Sequence, residues 1–263
     1  MSPAAADETG IPMLTEMQID VAAATDAGRH RKTNADAFLV DEAAGLFAVA
    51  DAIGDTPRSG IVSRMALEAV RELFLAPWSQ LPPGDRCASE AADRLILGVM
   101  QANGRLYVEG RPVERRLGTT FAGAVVCRDH LCVGSAGDSR LYLYRASTAQ
   151  MVKLTDDDTA QNDAIWRGTP PDVAAAQPKA HALTRAIGIR RALDLRPAVT
   201  RWAPGDVVLA CTDGITDWLD GAAITRTIVE CDALELTAQR LVERALMAGG
   251  RDNATAVLVR WVA

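Results

Sequence analysis

The stretch TTFAGAVVCRDHLCVGSAGDSRLYLYRA, Thr119 to Ala146, reads as short strands in succession. It is rich in β-branched and aromatic residues, and its turn residues stand at hairpin distances, the pattern of neighbouring antiparallel strands. QMVKLTDDD continues the series. Upstream, MQIDVAAATD is a further strand, and DAFLVDEAAGLFAVAD folds back as two, Ala37 to Val40 and Gly45 to Ala50, around the turn-forming DEAAG. From Gly60 to Leu75, the residues Ile61, Met65, Ala69 and Leu73, with Val62 and Ala66, keep a helical period that Pro77 ends. Ser89 to Leu106 repeats that period with Ala92, Leu95, Ile96, Val99 and Met100. After the strand GDVVLACTDG comes a helix from Leu234 to Met247, stopped by Gly249-Gly250, and then the last strand, ATAVLVRWV. Consecutive strands and paired helices predict mostly antiparallel sheets flanked by helices, not the parallel sheet of an alternating chain.

Residues 1–16 are small and polar without periodicity and read as a flexible segment ahead of a single domain spanning 17–263. Between 157 and 182 apolar content falls and Pro170, Pro171 and Pro178 interrupt any helix, so this stretch reads as a surface excursion, a flap. With 263 residues, 49% hydrophobic and 24% charged, the chain is long enough for one sizeable core. A formal net charge of -6 argues against nucleic acid or an anionic membrane as partner. No apolar run reaches the roughly 18 residues of a membrane span, and the first residues lack a signal-peptide layout, so the expected location is the cytoplasm. The five cysteines form no CxxC pair and the three histidines no metal-binding spacing, so any metal here rests on oxygen ligands.

Five aspartates stand at strand ends: Asp36 before AFLV, Asp51 after FAVA, Asp138 after GSAG, Asp213 after VLACT and Asp252 before NATAVLV. Most strand-end aspartates are turn or cap formers. Neighbouring strands lie about 4.8 Å apart, however, so carboxylates on one rim of a sheet converge although distant in sequence. Gathered carboxylates repel one another, and a hard cation such as Mg²⁺ or Mn²⁺ relieves them.

Eight ordered segments resemble the metal-dependent protein phosphatases, the protein phosphatase 2C family, from about Asp20 to Trp261. They are TDAGRHRKTNADAF, FAVADAIGD, LGTTFAGAVV, VGSAGDSRLYLYR, LTDDDT, ALTRAIG, VLACTDGITD and GGRDNATAVLV. The resemblance implies an α/β sandwich of two central β-sheets in αββα layers, and metal-dependent hydrolysis of phosphoserine and phosphothreonine in proteins. It implies two to three Mn²⁺ or Mg²⁺ ions: Asp51 bridging two of them, the carbonyl of Ala52 on the second, Asp213 and Asp252 completing the first, and Asp138 on a looser third. Asp36 would orient the attacking water and Arg31 would grip the substrate phosphate, for which a planar guanidinium suits it. The implied partners are phosphorylated proteins, substrates of a Ser/Thr kinase, and the implied state is a monomer of bacterial type.

The departures bear on function. Ala35 stands where many relatives have glutamate, removing an oxygen near the second ion; Ala52 replaces a glycine, AIGD replaces GMGG, and Ile53 occupies the position of a histidine considered a general acid. Ahead of ALTRAIG, QPKAH replaces HPxRN. Two alternatives follow: a catalytically weak relative that binds phosphoproteins, or a two-metal hydrolase of small phosphoesters. Among lesser residues, Asp217 is expected to cap the helix beginning WLDGAAI, Asp156, Asp157 and Asp158 to form a solvated turn, Ser139 and Arg140 to stabilise a hairpin, and Arg167 to be an exposed flap arginine.

Overall fold

In the computed structural model, which describes residues 17–54, 58–110 and 117–262, the strand Leu46–Asp51 (β3) shows why the chain forms layers. Leu46, Ala48 and Ala50 face one hydrophobic cluster while Phe47 and Val49 face another, so five consecutive apolar residues are buried on alternating sides. The same division splits Val207–Cys211 (β9), with Leu209 turned to an outer cluster and Val208 and Ala210 inward. Strands buried on both faces need helices outside and a second sheet inside.

The first sheet runs in the order Gln18–Asp26 (β1), Ala254–Val262 (β10), β9, Arg140–Arg145 (β6), Gln150–Lys153 (β7). The second runs Asp36–Asp41 (β2), β3, Phe121–Cys127 (β4), His130–Ala136 (β5), Ala198–Arg201 (β8). All the strand pairs are antiparallel. Ser59–Arg71 (α1) and Ala88–Glu109 (α2) pack on the second sheet through Ala66, Val70, Leu95 and Val99. Gly221–Glu230 (α6) and Leu234–Ala248 (α7) pack on the first through Ile224, Ile228, Leu241 and Ala245. Phe47, Leu131, Leu143, Trp202 and Val257 fill the space between the sheets. The α/β sandwich expected from the sequence is the observed architecture.

Several boundaries differ from expectation. The first helix ends at Arg71 and continues as a 3₁₀ turn, Glu72–Phe74, and α2 reaches Glu109. The short edge strand β8 was not anticipated, having only four residues, three of them exposed, and no apolar alternation; the helix expected to begin at WLDGAAI is α6, which starts at Gly221. The stretch 157–182 holds two short helices, Ala160–Trp166 (α3) and Pro171–Ala175 (α4), despite its prolines. Pro171 occupies the first turn of α4, where a missing N–H breaks no bond. The expectation for residues 1–16 lies outside the described residues.

Phe47 and Phe38 test the layering from the same strand pair, since Phe47 is 1% exposed between the sheets and Phe38 is 41% exposed. Phe47→Ala is expected to lower stability by about 3–5 kcal/mol in urea denaturation, and Phe38→Ala by under about 1 kcal/mol.

Candidate active site

Register brings the first two carboxylates face to face: Asp36, the first residue of β2, is the direct partner of Asp51, the last of β3. Like charges directly opposite each other destabilise a sheet. Asp36 is almost wholly buried, and its Oδ2 accepts hydrogen bonds from Thr255 Oγ1 at 2.6 Å and Thr212 Oγ1 at 2.8 Å. Its Oδ1 is buried with no donor beside it, and Asp51 can offer it a hydrogen bond only by sharing a proton. Asp51 is fixed through its backbone: its N–H donates to Thr120 Oγ1 at 2.8 Å, and its carbonyl accepts from Thr119 Oγ1 at 2.9 Å. Thr120 in turn shares a 2.6 Å hydrogen bond with Ser139.

The other acids arrive on three different connections. Asp213 opens the short helix Asp213–Thr216 (α5) directly after β9, and its Oδ1 is also buried without a partner. Gly214 follows it because the helix lies against the Asn253 carbonyl so closely that any Cβ would collide. Asp138 sits in the bend between β5 and β6, after Gly137 with φ +108. Asp252 precedes β10, and its Oδ2 accepts a 2.6 Å ion pair from Arg31 Nη2. A cleft of about 160 Å³ is lined by Arg31, Asp51, Ala52, Asp138, Asp213 and Asp252, together with Ala35, Ile53 and Leu183. Asp36 lies behind this lining, against Asp51. All seven predicted site residues therefore fall in one place.

Burial and mutual repulsion set the protonation of these groups. Burial pushes Asp36 up to about 6 even though Thr255 and Thr212 stabilise its charged form. Asp51 is held well above the ordinary carboxylate value, first by burial and then by the charges of Asp36, Asp213, Asp252 and Asp138. Asp213 is raised well above it by burial and by Asp138 and Asp217, and Asp138 is raised to about 6, chiefly by burial. The donor set fits a hard divalent cation: carboxylates and a carbonyl, with two buried carboxylate oxygens lacking any hydrogen bond. Among the described residues no three acid, histidine or cysteine side chains already stand close enough together to hold an ion, and Asp252 pairs with Arg31.

Asp217 does not cap the helix after it. It is the C-cap of α5, and Asp220 caps α6 by accepting the Ala223 N–H at 2.8 Å. The expected turn at Asp156 to Asp158 is solvated only at Asp156. Asp157 binds Arg140 at 2.6 Å and Lys153 at 2.8 Å, while Asp158 accepts the Gly137 N–H at 3.0 Å and pairs with Arg185 at 2.8 Å. Arg140 and Ser139 thus do hold the hairpin, and Arg140 also fastens the base of the flap. Arg167 is exposed and pairs loosely with Asp163, away from the cleft lining. Ala52 needs no glycine, because its φ is not positive.

Sequence reading overlooked the hydroxyls and one amide. Asn253 is buried, with its Nδ2 donating to the carbonyls of Ala27 at 2.7 Å and Thr33 at 3.1 Å and its Oδ1 accepting the Ala35 N–H at 2.7 Å. It therefore clamps the loop that carries Arg31. The available signal was position: Thr212 precedes Asp213, and Asn253 and Thr255 follow Asp252, whereas Thr119 and Thr120 stand far from any predicted acid in the chain.

The protein phosphatase 2C family model matches residues 27–261. The serine/threonine phosphatase stp of Listeria innocua is 25% identical over 241 residues, 89% of this chain and 93% of that protein. The PPM Ser-Thr phosphatase MsPP from Mycobacterium smegmatis, solved in complex with cacodylate, superposes with a TM-score of 0.74 at 32% identity, covering 93% of this chain and 98% of that one. The catalytic domain of the serine/threonine protein phosphatase PstP in complex with two manganese ions shares the fold, with a TM-score of 0.76 at 24% identity over 94% of this chain and 100% of that one.

Two measurements test the site as described. Acids raised in the folded state bind more protons folded than unfolded, so the metal-free protein should lose stability as pH rises from about 4 through 6. Asp213→Asn should then raise the metal-free Tm at pH 7 by roughly 2–6 °C and abolish most of the stabilisation by added Mn²⁺; calorimetry showing a lowered metal-free Tm would contradict the repulsion described. Asn253→Ala should cost about 2–4 kcal/mol in chemical denaturation, because it leaves two carbonyls and one N–H without partners.

Proposed function

The chain belongs to the protein phosphatase 2C family of metal-dependent protein phosphatases, and from that membership we propose that it hydrolyses phosphoserine and phosphothreonine in proteins with two to three Mn²⁺ or Mg²⁺ ions. The observation that carries this reading is the convergence of Asp51, Asp138, Asp213, Asp252 and Arg31 on one cleft, with Asp36 behind it. Manganese in the PstP structure supports the choice of ion. Such ions supply positive charge to the phosphoryl oxygens and acidity to the attacking water.

In this reading Asp51, Asp213, Asp252, the Ala52 carbonyl and Asp138 would hold the ions, with Asp51 shared between two of them, Asp213 and Asp252 on the first, Ala52 on the second and Asp138 on a third. Asp36 keeps the attacking water oriented, and the two threonine hydroxyls on its Oδ2 prevent its carboxylate from swinging. Arg31, engaged by Asp252 in the structure, would be free to bond two phosphate oxygens with its guanidinium once Asp252 held an ion. Ile53 has no proton to give, so water in the cleft, not a side chain at that position, protonates the leaving alkoxide. Ala35 offers no side-chain oxygen, which weakens the second ion and, with the altered AIGD, favours a catalytically weak relative. Residues 17–263 act as a single phosphatase domain with 157–182 as its flap, working as a cytoplasmic monomer against a Ser/Thr kinase. Among the described residues no helix is long and apolar enough to cross a membrane.

Release of phosphate from a phosphothreonine peptide with Mn²⁺ tests the reading. Wild-type turnover should exceed that of Asp51→Asn by at least about 10³-fold, and Arg31→Ala should lower kcat/KM by roughly 10²-fold. Turnover no greater than the Asp51→Asn control would overturn it, leaving the binding role or, if nucleotide or other small phosphoesters are hydrolysed instead, the small-phosphoester hydrolase.

A further inference from the structure

Beside the cleft two loops, 26–33 and 249–252, carry Arg31 and Asp252 and, in addition, a cationic knuckle of side chains that the phosphatase chemistry does not use. The Arg29 N–H donates to the Gly250 carbonyl at 3.1 Å, and Gly28, with φ +75, packs so tightly on the Asp252 carbonyl that no side chain fits. With the Asn253 clamp, this makes the loops one rigid unit. It presents Arg29, Lys32 and Arg251 to solvent, with His30 between the first two. Arg251 lies 6.0 Å from the Trp218 ring.

The carboxylates of this unit are already committed: Asp26 accepts the Gly28 N–H at 2.8 Å and Asp252 holds Arg31. Arg29, Lys32 and Arg251 have no carboxylate within ion-pair distance among the described residues, whereas Arg71, Arg94, Arg105, Arg140, Arg145 and Arg244 elsewhere all do. Unpaired cations grouped on a chain of net charge -6 form a local field opposite in sign to the whole.

We propose that this knuckle selects phosphoprotein segments with aspartate or glutamate side chains flanking the phosphorylated residue. The proposal rests on the phosphatase reading, because it is Arg31, in the same loop, that would fix the phosphate and so bring flanking residues over Arg29, Lys32 and Arg251. An anionic membrane fits less well, since polybasic lipid-binding segments carry about 4–8 Lys or Arg and this face has three unpaired ones.

Phosphothreonine peptides with glutamate, alanine or lysine flanks, and a small aryl phosphate, are compared in wild type and in Arg29→Ala/Lys32→Ala/Arg251→Ala. Each exposed pair contributes a few-fold, so wild type should favour the glutamate over the lysine peptide by about 10-fold in kcat/KM, through KM. The preference should vanish in the triple variant and fade at about 0.5 M salt, with aryl phosphate turnover unchanged. The charge reversal Arg29→Glu/Lys32→Glu should invert the ranking. Fluorescence anisotropy on the same labelled peptides gives Kd without turnover. If no substrate releases phosphate, the phosphatase reading fails, while the Kd ranking still decides the knuckle's role. Equal or reversed peptide ranking in wild type, equal loss on aryl phosphate in the triple variant, or knuckle-dependent binding to anionic vesicles with a flat peptide ranking would each overturn the proposal.

Discussion

The two hydrogen bonds that Asp36 accepts from Thr212 and Thr255 join the sheets at the rim on which the site is built. Asp36 begins β2 of one sheet, whereas Thr212 directly follows β9 and Thr255 lies in β10 of the other. The link continues to Thr25 at the end of β1 through a 2.7 Å contact with Thr255. Apolar packing between the sheets is non-directional and tolerates sliding; a buried charged acceptor held by two hydroxyls does not, because leaving it unsatisfied costs more than a neutral hydrogen bond gains. The acids of the two sheets therefore keep their mutual positions.

The layers were legible in the sequence for a physical reason. Hairpin-spaced strands and helices with a 3.6 period each expose an apolar face, and β3 and β9 expose two, so the number of layers is written in the runs themselves. The elements that escaped were those whose stability is tertiary: β8 has no apolar alternation, and α3 has no buried residue. The helix α6 was seen only as a cap signal placed three residues early, at Asp217 in place of Asp220, because both precede a helix-forming stretch and only one finds a free N–H. At the site, charge was legible because aspartates at five strand ends need an explanation. The hydroxyls and Asn253 were not, since a buried threonine beside an acid reads the same in sequence as any strand threonine.

The flap shows how far the rim's order extends. Arg140 on β6 forms three contacts of 2.6 to 3.1 Å with Asp157, and Asp158 reaches back to the Gly137 N–H, one residue before Asp138. Burial would lift the Asp157 carboxyl, but Arg140 and Lys153 outweigh it and hold the group below its ordinary value. The base of the flap is thus an ionised, paired carboxylate, in contrast to the raised and unpaired acids a few residues away. Pairing with Arg140 and Lys153 separates this anchoring aspartate from Asp51, Asp138 and Asp213, which make no salt bridge among the described residues.

That separation explains why the protein's own cations do not neutralise the cluster. A guanidinium following Asp51 or Asp213 into the cleft would need its whole charged head buried, and the buried surroundings that raise the acids would penalise it as well. Arg31 reaches Asp252, whose side chain is 33% exposed. Two ionised carboxylates facing each other about 5 Å apart repel by roughly 3 kcal/mol at an effective dielectric near 20. Against a net stability of about 5–15 kcal/mol, several such pairs would be a heavy load, and protonation relieves them when no ion is bound. The fold tolerates the arrangement because the strain is confined to one rim, while Phe47, Leu131, Leu143 and Val257 pack the centre without polar atoms. A compact, strongly charged ion enters where a side chain cannot, because it brings no apolar stem and sheds only water.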